Sequence, residues 1–441
     1  MDRRDFLLRS GLALGGAALA STGCATAAST SAAGASGAAR PAPADPWEAL
    51  HGEFELTRDE VHLSGFLLAP HPRSVREAIE MYRRALDENP VKALKQFLRT
   101  AEADVCRAAA AYLEVEPGEI ALTDSTTMGL GVVYGGLRLR EGQEILTTTH
   151  EHYATDESLR LRAERTGAVF RRVPLYDRPE AVTEEQLVQN LLKEVTPRTR
   201  VVAVTWVHSS SGVKLPIRPI ADALARVNAE RAEEDRVLLS VDGVHGLGVE
   251  DASLPQLGCD IFISGCHKWM LGPRGTGFVW ARPHAWRSLV ATIPTFYSPA
   301  VRIWAKDTPP QELPPGPLMT PGGFHSFEYR WALGKAFELH QRLGRQNVAA
   351  RIHALNRQIK EGLAKMPHIR LRTPMADELS AGIICFEVEG MTPVDAVHRL
   401  EERRVIATVT PYVTKYVRLA PSLLNTTGDM EVALREIHAL A

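Results

Sequence analysis

The sequence is short of three things, and each absence closes off a class of function. Charge of one sign is missing: 51 Lys and Arg against 53 Asp and Glu leave a net charge of −2 over 441 residues. A near-neutral chain gives no support for nucleic-acid binding, which calls for a basic face. Long apolar runs are missing too. No window holds roughly eighteen or more apolar residues free of charge, so neither a membrane-spanning helix nor stable membrane insertion is expected. Cysteine is scarce, with five in all. Cys106, Cys259, Cys266 and Cys385 are scattered and form no CxxC pair, so neither a disulfide framework nor a zinc site is expected. What is present is an ordinary globular mixture, 45% hydrophobic and 24% charged, long enough for a large core and two domains.

Residues 1–27 read as a twin-arginine signal peptide. Arg3-Arg4-Asp5-Phe6-Leu7 is the twin-arginine pattern, a weakly apolar Gly/Ala-rich run follows over 11–20, and Ala25-Thr26-Ala27 offers a small-x-small cleavage site. Cys24 has the outline of a lipoprotein site, but Ser21 stands where that signal carries leucine. The expectation is export of the folded protein by the twin-arginine (Tat) translocase, to the periplasm or the medium. That route suits a protein whose cofactor is inserted before export. Residues 28–45, rich in Ala, Ser, Gly and Pro, read as a flexible linker.

Beyond the linker, short apolar runs alternate with helical patterns. Glu119–Leu122, Glu144–Thr147, Ala168–Val173, Arg200–Trp206, Val237–Asp242 and Asp260–Ile263 read as strands. The alternation predicts an α/β fold with a large, doubly wound, mostly parallel sheet. Ligands of such sheets sit at the carboxyl ends of the strands. Past residue 300 come a Pro-rich passage, helices over 328–343 and 349–365, and strands Ala381–Val388 and Tyr416–Leu419. The expected organisation is a lead-in over 46–75 packing with the small domain, a large domain over 76–305 and a smaller α+β domain over 306–441.

Four segments that follow predicted strands carry candidate chemistry. Ser125, Thr126 and Thr127 stand between a strand and a helix, where free N–H groups and hydroxyls suit a phosphate or form a plain helix cap. In Thr149-His150-Glu151-His152 a histidine could stack on a planar ring, bind metal through the His-x-His spacing, or lie at the surface. Asp242, ending a buried strand, could face a protonated pyridine nitrogen or cap the next turn. Lys268 follows His267 at the end of the run Ile261–Cys266, with a Gly/Pro-rich turn and another strand behind it. A bare charge is costly to bury there, and a lysine kept neutral is a nucleophile suited to a Schiff base. The alternative is an amine that reaches solvent. Phosphate cradle, ring-stacking histidine, carboxylate and lysine come in the order that pyridoxal 5'-phosphate requires.

From about residue 60 to 441 the chain resembles the class V aminotransferases of fold type I, a group that includes cysteine desulfurases and isopenicillin N epimerase-like proteins. The resemblance rests on the Thr-rich turn, Glu151-His152, Val241-Asp242-Gly-Val-His245, His267-Lys268 and the late Val417-Arg418-Leu-Ala-Pro421. It implies a Schiff base on Lys268, Asp242 paired with the pyridine nitrogen, and His152 stacked on the ring. It also implies His245 near the phenolic oxygen, Thr126 and Thr127 on the phosphate with help from His267, and Ser209 at the ring oxygen. Arg418 falls where the family binds the substrate carboxylate, and the family's sites lie at a homodimer interface. The chain departs from the pattern in three places. Gly265 replaces the phosphate serine, Gly323-Phe324 replaces a Gly-Thr pair that reaches the partner subunit's phosphate, and 407–416 lacks the cysteine that desulfurases carry.

The expectation is therefore an exported enzyme acting on the amino group of a small-molecule or peptide amine, with transamination ahead of epimerisation or elimination. Its export and family pattern are together similar to periplasmic enzymes that modify a siderophore side chain. Two rivals use the same residues differently. One is a metal hydrolase built on His150, His152, Asp242, His245 and His267. The other is a non-catalytic binding protein of the same fold.

Overall fold

The computed structural model describes residues 46–441. The signal peptide and the whole of the linker read from the sequence lie outside the described residues. The described chain opens with helix Pro46–His51 and the short strand β1 (Val61–His62), followed by helices Arg73–Glu88 and Pro90–Leu113. The break between these two helices is local chemistry. Asn89 accepts from the Lys92 N–H and Pro90 occupies the first helical turn, a position where its missing N–H costs nothing. The sequence pattern stops the second helix near Leu98. It continues to Leu113 because the Ala-rich stretch 108–111 favours helix.

The large sheet is built from β2 (Ile120–Thr123), β3 (Glu144–Thr148), β4 (Val169–Val173), β5 (Thr199–Thr205), β6 (Leu238–Asp242), β7 (Ile261–Gly265) and β8 (Gly277–Ala281). Their spatial order is β2-β8-β7-β6-β5-β3-β4, and β8 alone runs against the rest. Every residue of β5, β6 and β7 is buried, as expected of strands covered by helices on both faces. The doubly wound parallel sheet expected from the alternating pattern is thus the fold observed. Because the strands run the same way, Thr123, Thr148, Thr205, Asp242 and Gly265 end along one edge of the sheet.

Helix Ile217–Asn228 is shorter than its pattern, which reads on to Glu234. The Asn228 side chain accepts from the Val237 N–H at 2.7 Å and donates to the Val237 carbonyl at 2.9 Å, turning the chain back into β6.

The C-terminal sheet joins β9 (Ile369–Leu371), β10 (Ile384–Val388), β12 (Thr408–Val409) and β13 (Val417–Leu419), with β11 (Val405–Ile406) pairing with β1 instead. Helices Arg345–Leu363 and Thr427–His438 close its core through Leu355, Ile359, Met430 and Ile437. Helix Phe327–Leu343, grouped by sequence with this domain, packs with the large one. Phe337 lies against Phe278 of β8 and against Tyr112, at ring separations of 6.1 and 5.8 Å. The lead-in ties both parts together. Asn425 donates to the His62 carbonyl at 3.1 Å, and the Ala69 N–H donates to the His267 carbonyl at 3.0 Å.

Close packing at the end of β6 leaves no room beyond Gly243. A Cβ built there would fall within the Phe262 ring, which is fully buried. Gly243→Ala is expected to lower stability by about 1–3 kcal/mol through overpacking. Urea unfolding measures this, and an unchanged midpoint would show that Phe262 can yield.

Candidate active site

Helix Thr126–Gly136 begins at the end of β2. Ser125 caps it by accepting from the Met128 N–H at 3.1 Å. The N–H groups of the first turn lack helical acceptors and favour an anion. Across from them the Thr126 hydroxyl oxygen accepts from the Gly265 N–H at 2.8 Å. A Cβ on Gly265 would stand 2.8 Å from that hydroxyl and 3.0 Å from the His267 ring. The replaced serine therefore has a physical reason: Thr126 occupies its space, and a backbone N–H holds Thr126 in place. Ser264 points elsewhere, donating to the Gly265 carbonyl at 3.0 Å. The His267 ring lines the same end of the cavity. Burial, and then the Lys268 charge, push its pKa down to about 4.

Lys268 follows β7, with Nζ 3.1 Å from His245 Nε2. Burial lowers its pKa to about 8; Asp242 opposes that shift and Arg418 adds to it. Asp242 is 3% exposed. Its oxygens accept from the Val244 N–H at 3.1 Å and the Thr155 hydroxyl at 3.4 Å, both neutral donors. Burial lifts its pKa to about 6 against the pull of Lys268. A buried carboxylate supported by neutral donors alone is suited to a cationic ligand.

His152 caps helix Tyr153–Thr166, its Nδ1 accepting from the Ala154 N–H at 3.2 Å. Its side chain is exposed at the cavity. Arg418 reaches the cavity from β13 and is 4% exposed. It donates through Nε to Thr408 Oγ1 at 3.1 Å and through Nη1 to the Ser209 carbonyl at 3.0 Å, and its guanidinium lies 4.5 Å from the Phe66 ring centroid. The cavity, about 170 Å³, thus brings together Thr126, Thr127, His152, Ser209, Asp242, His245, His267, Lys268 and Arg418.

Two expected residues behave differently from the sequence reading. Ser209 lines the cavity, but its hydroxyl is 2.7 Å from the Tyr412 hydroxyl. His150 stacks on Tyr176 at 3.8 Å and 6°, and its Nε2 accepts from the Leu175 N–H at 3.1 Å. The rival metal centre needed His150 to converge with the other histidines. Among the described residues no three His, Cys, Asp or Glu side chains are grouped so as to hold a metal ion. Phe324, at the replaced Gly-Thr position, is 83% exposed.

Sequence reasoning missed Phe66, Tyr412, Trp269 and the state of Glu151. Glu151 accepts from the hydroxyls of Thr148, at 2.7 Å, and Thr205. Burial lifts its pKa to about 8, so it stands neutral at pH 7. Tyr412 lies in the stretch noted for its missing cysteine, and its ring meets His152 edge-on at 6.5 Å. Aromatic residues in 407–416 and in the lead-in were the available signal.

A seven-stranded sheet with one reversed strand, and a buried lysine, carboxylate and helix N-terminus at its carboxyl edge, defines the pyridoxal-phosphate enzymes of fold type I. Within that class the chain belongs to the aminotransferase class-V family, whose model matches residues 69–410. It is 26% identical over 353 residues to isopenicillin N epimerase of Streptomyces clavuligerus, covering 78% of this chain and 84% of that protein. It is 27% identical over 374 residues to a probable cysteine desulfurase of Xylella fastidiosa, covering 80% and 83%. Among solved structures, a C-DES mutant with glycine covalently linked to its PLP cofactor superposes with a TM-score of 0.77 at 22% identity, covering 88% of this chain and 98% of that one. The apo cysteine desulfurase of Thermococcus onnurineus gives 0.75 at 18%, covering 89% and 97%.

The Asp242 carboxyl carries a signature in stability. The folded carboxyl keeps its proton to about pH 6, whereas the unfolded chain releases it near 3.8. Between these values the folded state binds more protons, so stability falls as pH rises through the window. In cofactor-free protein, Asp242→Asn is expected to be more stable than the parent by about 1–3 kcal/mol at pH 7. The gap should close below pH 4 in chemical denaturation. An Asn variant no more stable at pH 7 would show that Asp242 carries no burial cost.

Proposed function

We propose that the protein is an exported pyridoxal-phosphate enzyme that acts on the amino group of a small-molecule or peptide substrate, with transamination as its reaction. The observation that carries this is the meeting of Lys268, Asp242 and Arg418 in one cavity whose far end is a helix N-terminus. Bound there, the cofactor would supply an aldehyde for a lysine amine and a pyridinium ring able to withdraw electrons from the substrate α-carbon.

The chain's own residues divide the remaining tasks. Thr126, Thr127 and His267 would hold the phosphate end, and His152 would pack on the ring. Asp242 keeps a proton on the ring nitrogen. Lys268, with its amine available near neutral pH, removes and returns the proton at the α-carbon. Arg418 binds the carboxylate through the part of its guanidinium that Thr408 and Ser209 do not occupy. The lack of a cysteine across 407–416 argues against desulfuration. Cys385 offers no substitute: it is fully buried in β10, and its thiol is pushed up to about 12 by burial.

A second reading, epimerisation or elimination, is favoured by the 26% identity to isopenicillin N epimerase. A homodimer is also proposed, with Phe296, Trp304 and Phe324, each more than half exposed, as surface for a second copy. The substrate proposed is a secreted peptide or secondary metabolite, in keeping with export.

The purified protein should absorb visible light in a band that borohydride bleaches. Lys268→Ala should lack that covalent band and lose about 10²–10⁴-fold in turnover. Product mass spectra with candidate amines, with and without a keto acid, separate the two readings. Turnover independent of a keto acid would sink transamination. Stoichiometric zinc and no visible band would sink the cofactor assignment.

Export is tested separately. Replacing Arg3 and Arg4 by lysine should leave the precursor in the cytoplasmic fraction on immunoblots. Undiminished periplasmic protein would refute the twin-arginine route.

A further inference from the structure

His245 stands between two nitrogen groups, and the chemistry of one restricts the other. On one side the Trp269 indole Nε1 lies 3.3 Å from His245 Nδ1. On the other, Lys268 Nζ lies 3.1 Å from His245 Nε2. An indole N–H donates and never accepts. The Nδ1 it faces must therefore carry a lone pair, which rules out both the imidazolium and the Nδ1–H tautomer. The neutral ring then carries its proton on Nε2, directed at the lysine. An ammonium has three donors and no acceptor, so a charged Lys268 would set N–H against N–H. The contact becomes a hydrogen bond when the amine is neutral and offers its lone pair.

We propose that Trp269 is a positioning residue that fixes the His245 proton on Nε2 and so favours the uncharged amine of Lys268. The proposal rests on the reading of Lys268 as the amine that attacks a carbonyl. The packing holds the arrangement. His245 and Trp269 are 5% and 4% exposed, and Phe66, 1% exposed, lies against both rings at 5.8 and 6.3 Å. The charged and titratable groups that face His245 are Lys268, Arg418, His152 and His267, with Asp242 three residues before it. Burial above all, and then the charges of a protonated Lys268 and of Arg418, disfavour a second proton on the ring, in the same sense as the indole. Trp269 adds what charge cannot, a choice between the two nitrogens. The selected N–H is also a donor for any oxygen ligand brought beside Lys268.

The test reads nitrogen chemistry as well as reactivity. Cofactor-free protein labelled with ¹⁵N-histidine is compared with His245→Gln, which identifies the His245 signals. At pH 7 the wild type should show a pyridine-like Nδ1 and a pyrrole-like Nε2. Trp269→Phe keeps an aromatic ring and removes the donor. It should let the Nδ1–H form appear, and it should move the pH midpoint for Schiff-base formation with added pyridoxal phosphate upward. The rate at pH 7 should fall about three- to tenfold, the size of one neutral hydrogen bond. A protonated Nδ1 in the wild type would overturn the proposal. So would a Trp269→Phe protein with unchanged tautomer and midpoint. If that variant does not fold, the wild-type nitrogen shifts decide alone. Failure of the Lys268 reading looks different: Lys268→Ala would keep the bleachable band whatever the tautomer.

Discussion

The desolvation of one amine governs this site. Lys268 sits behind a buried strand end, and removal from water makes its proton easier to lose. Asp242 pulls the other way, but it too is desolvated and holds its own proton more tightly than a free carboxyl. The two groups are not locked in an ion pair that would neutralise both. Their contacts are with neutral groups, Val244 and Thr155 for Asp242 and His245 for Lys268, and a ligand with a carbonyl and a cationic nitrogen would engage both. Such desolvated ionisable groups weaken a fold, and the extensive core around the large sheet is what tolerates them.

The sheet makes this arrangement possible. Parallel strands deliver their carboxyl ends to one edge, so residues far apart in sequence meet without long loops. That part was legible in the chain. Apolar runs ending in Thr, Asp or Ser-Gly, each followed by a polar cluster, gave the strands and the positions of Asp242 and Lys268. Gly265 shows where legibility stopped. In sequence it is a lost serine; in space it is the gap that admits Thr126, 139 residues away. Phe66, Tyr412 and Trp269 were hidden for the same reason, since their roles exist only through distant partners. Helix Phe327–Leu343 was placed with the wrong neighbours because periodicity reports an apolar face and not what covers it.

Around the charged groups the wall is polar but uncharged. Burial keeps Glu151 protonated and His208 and His150 deprotonated. The Tyr176 hydroxyl lies 2.8 Å from both His208 Nδ1 and Ser211 Oγ. A network of this kind fixes geometry without adding charge that would compete with Asp242 or Lys268. It also explains why so many histidines near one cavity do not form a metal centre. His150 and His208 are engaged with Tyr176, and His245 is engaged with Lys268 and Trp269.

The charges that remain describe the ligand. Positive potential stands at two places, the helix N-terminus by Thr126 and the Arg418 guanidinium, with Asp242 as the carboxylate between neutral donors. A complementary ligand carries two anionic groups and one cationic group. A phosphate, a protonated pyridine ring and a carboxylate are groups of those charges. The low proton affinity of His267 and His152 comes first from burial and then from the Lys268 charge beside each, and that second part follows from the same imbalance. An anion at the helix N-terminus would relieve it for His267, and loss of the proton from Lys268 would relieve it for both. Lysine, carboxylate and histidines are therefore coupled through one field.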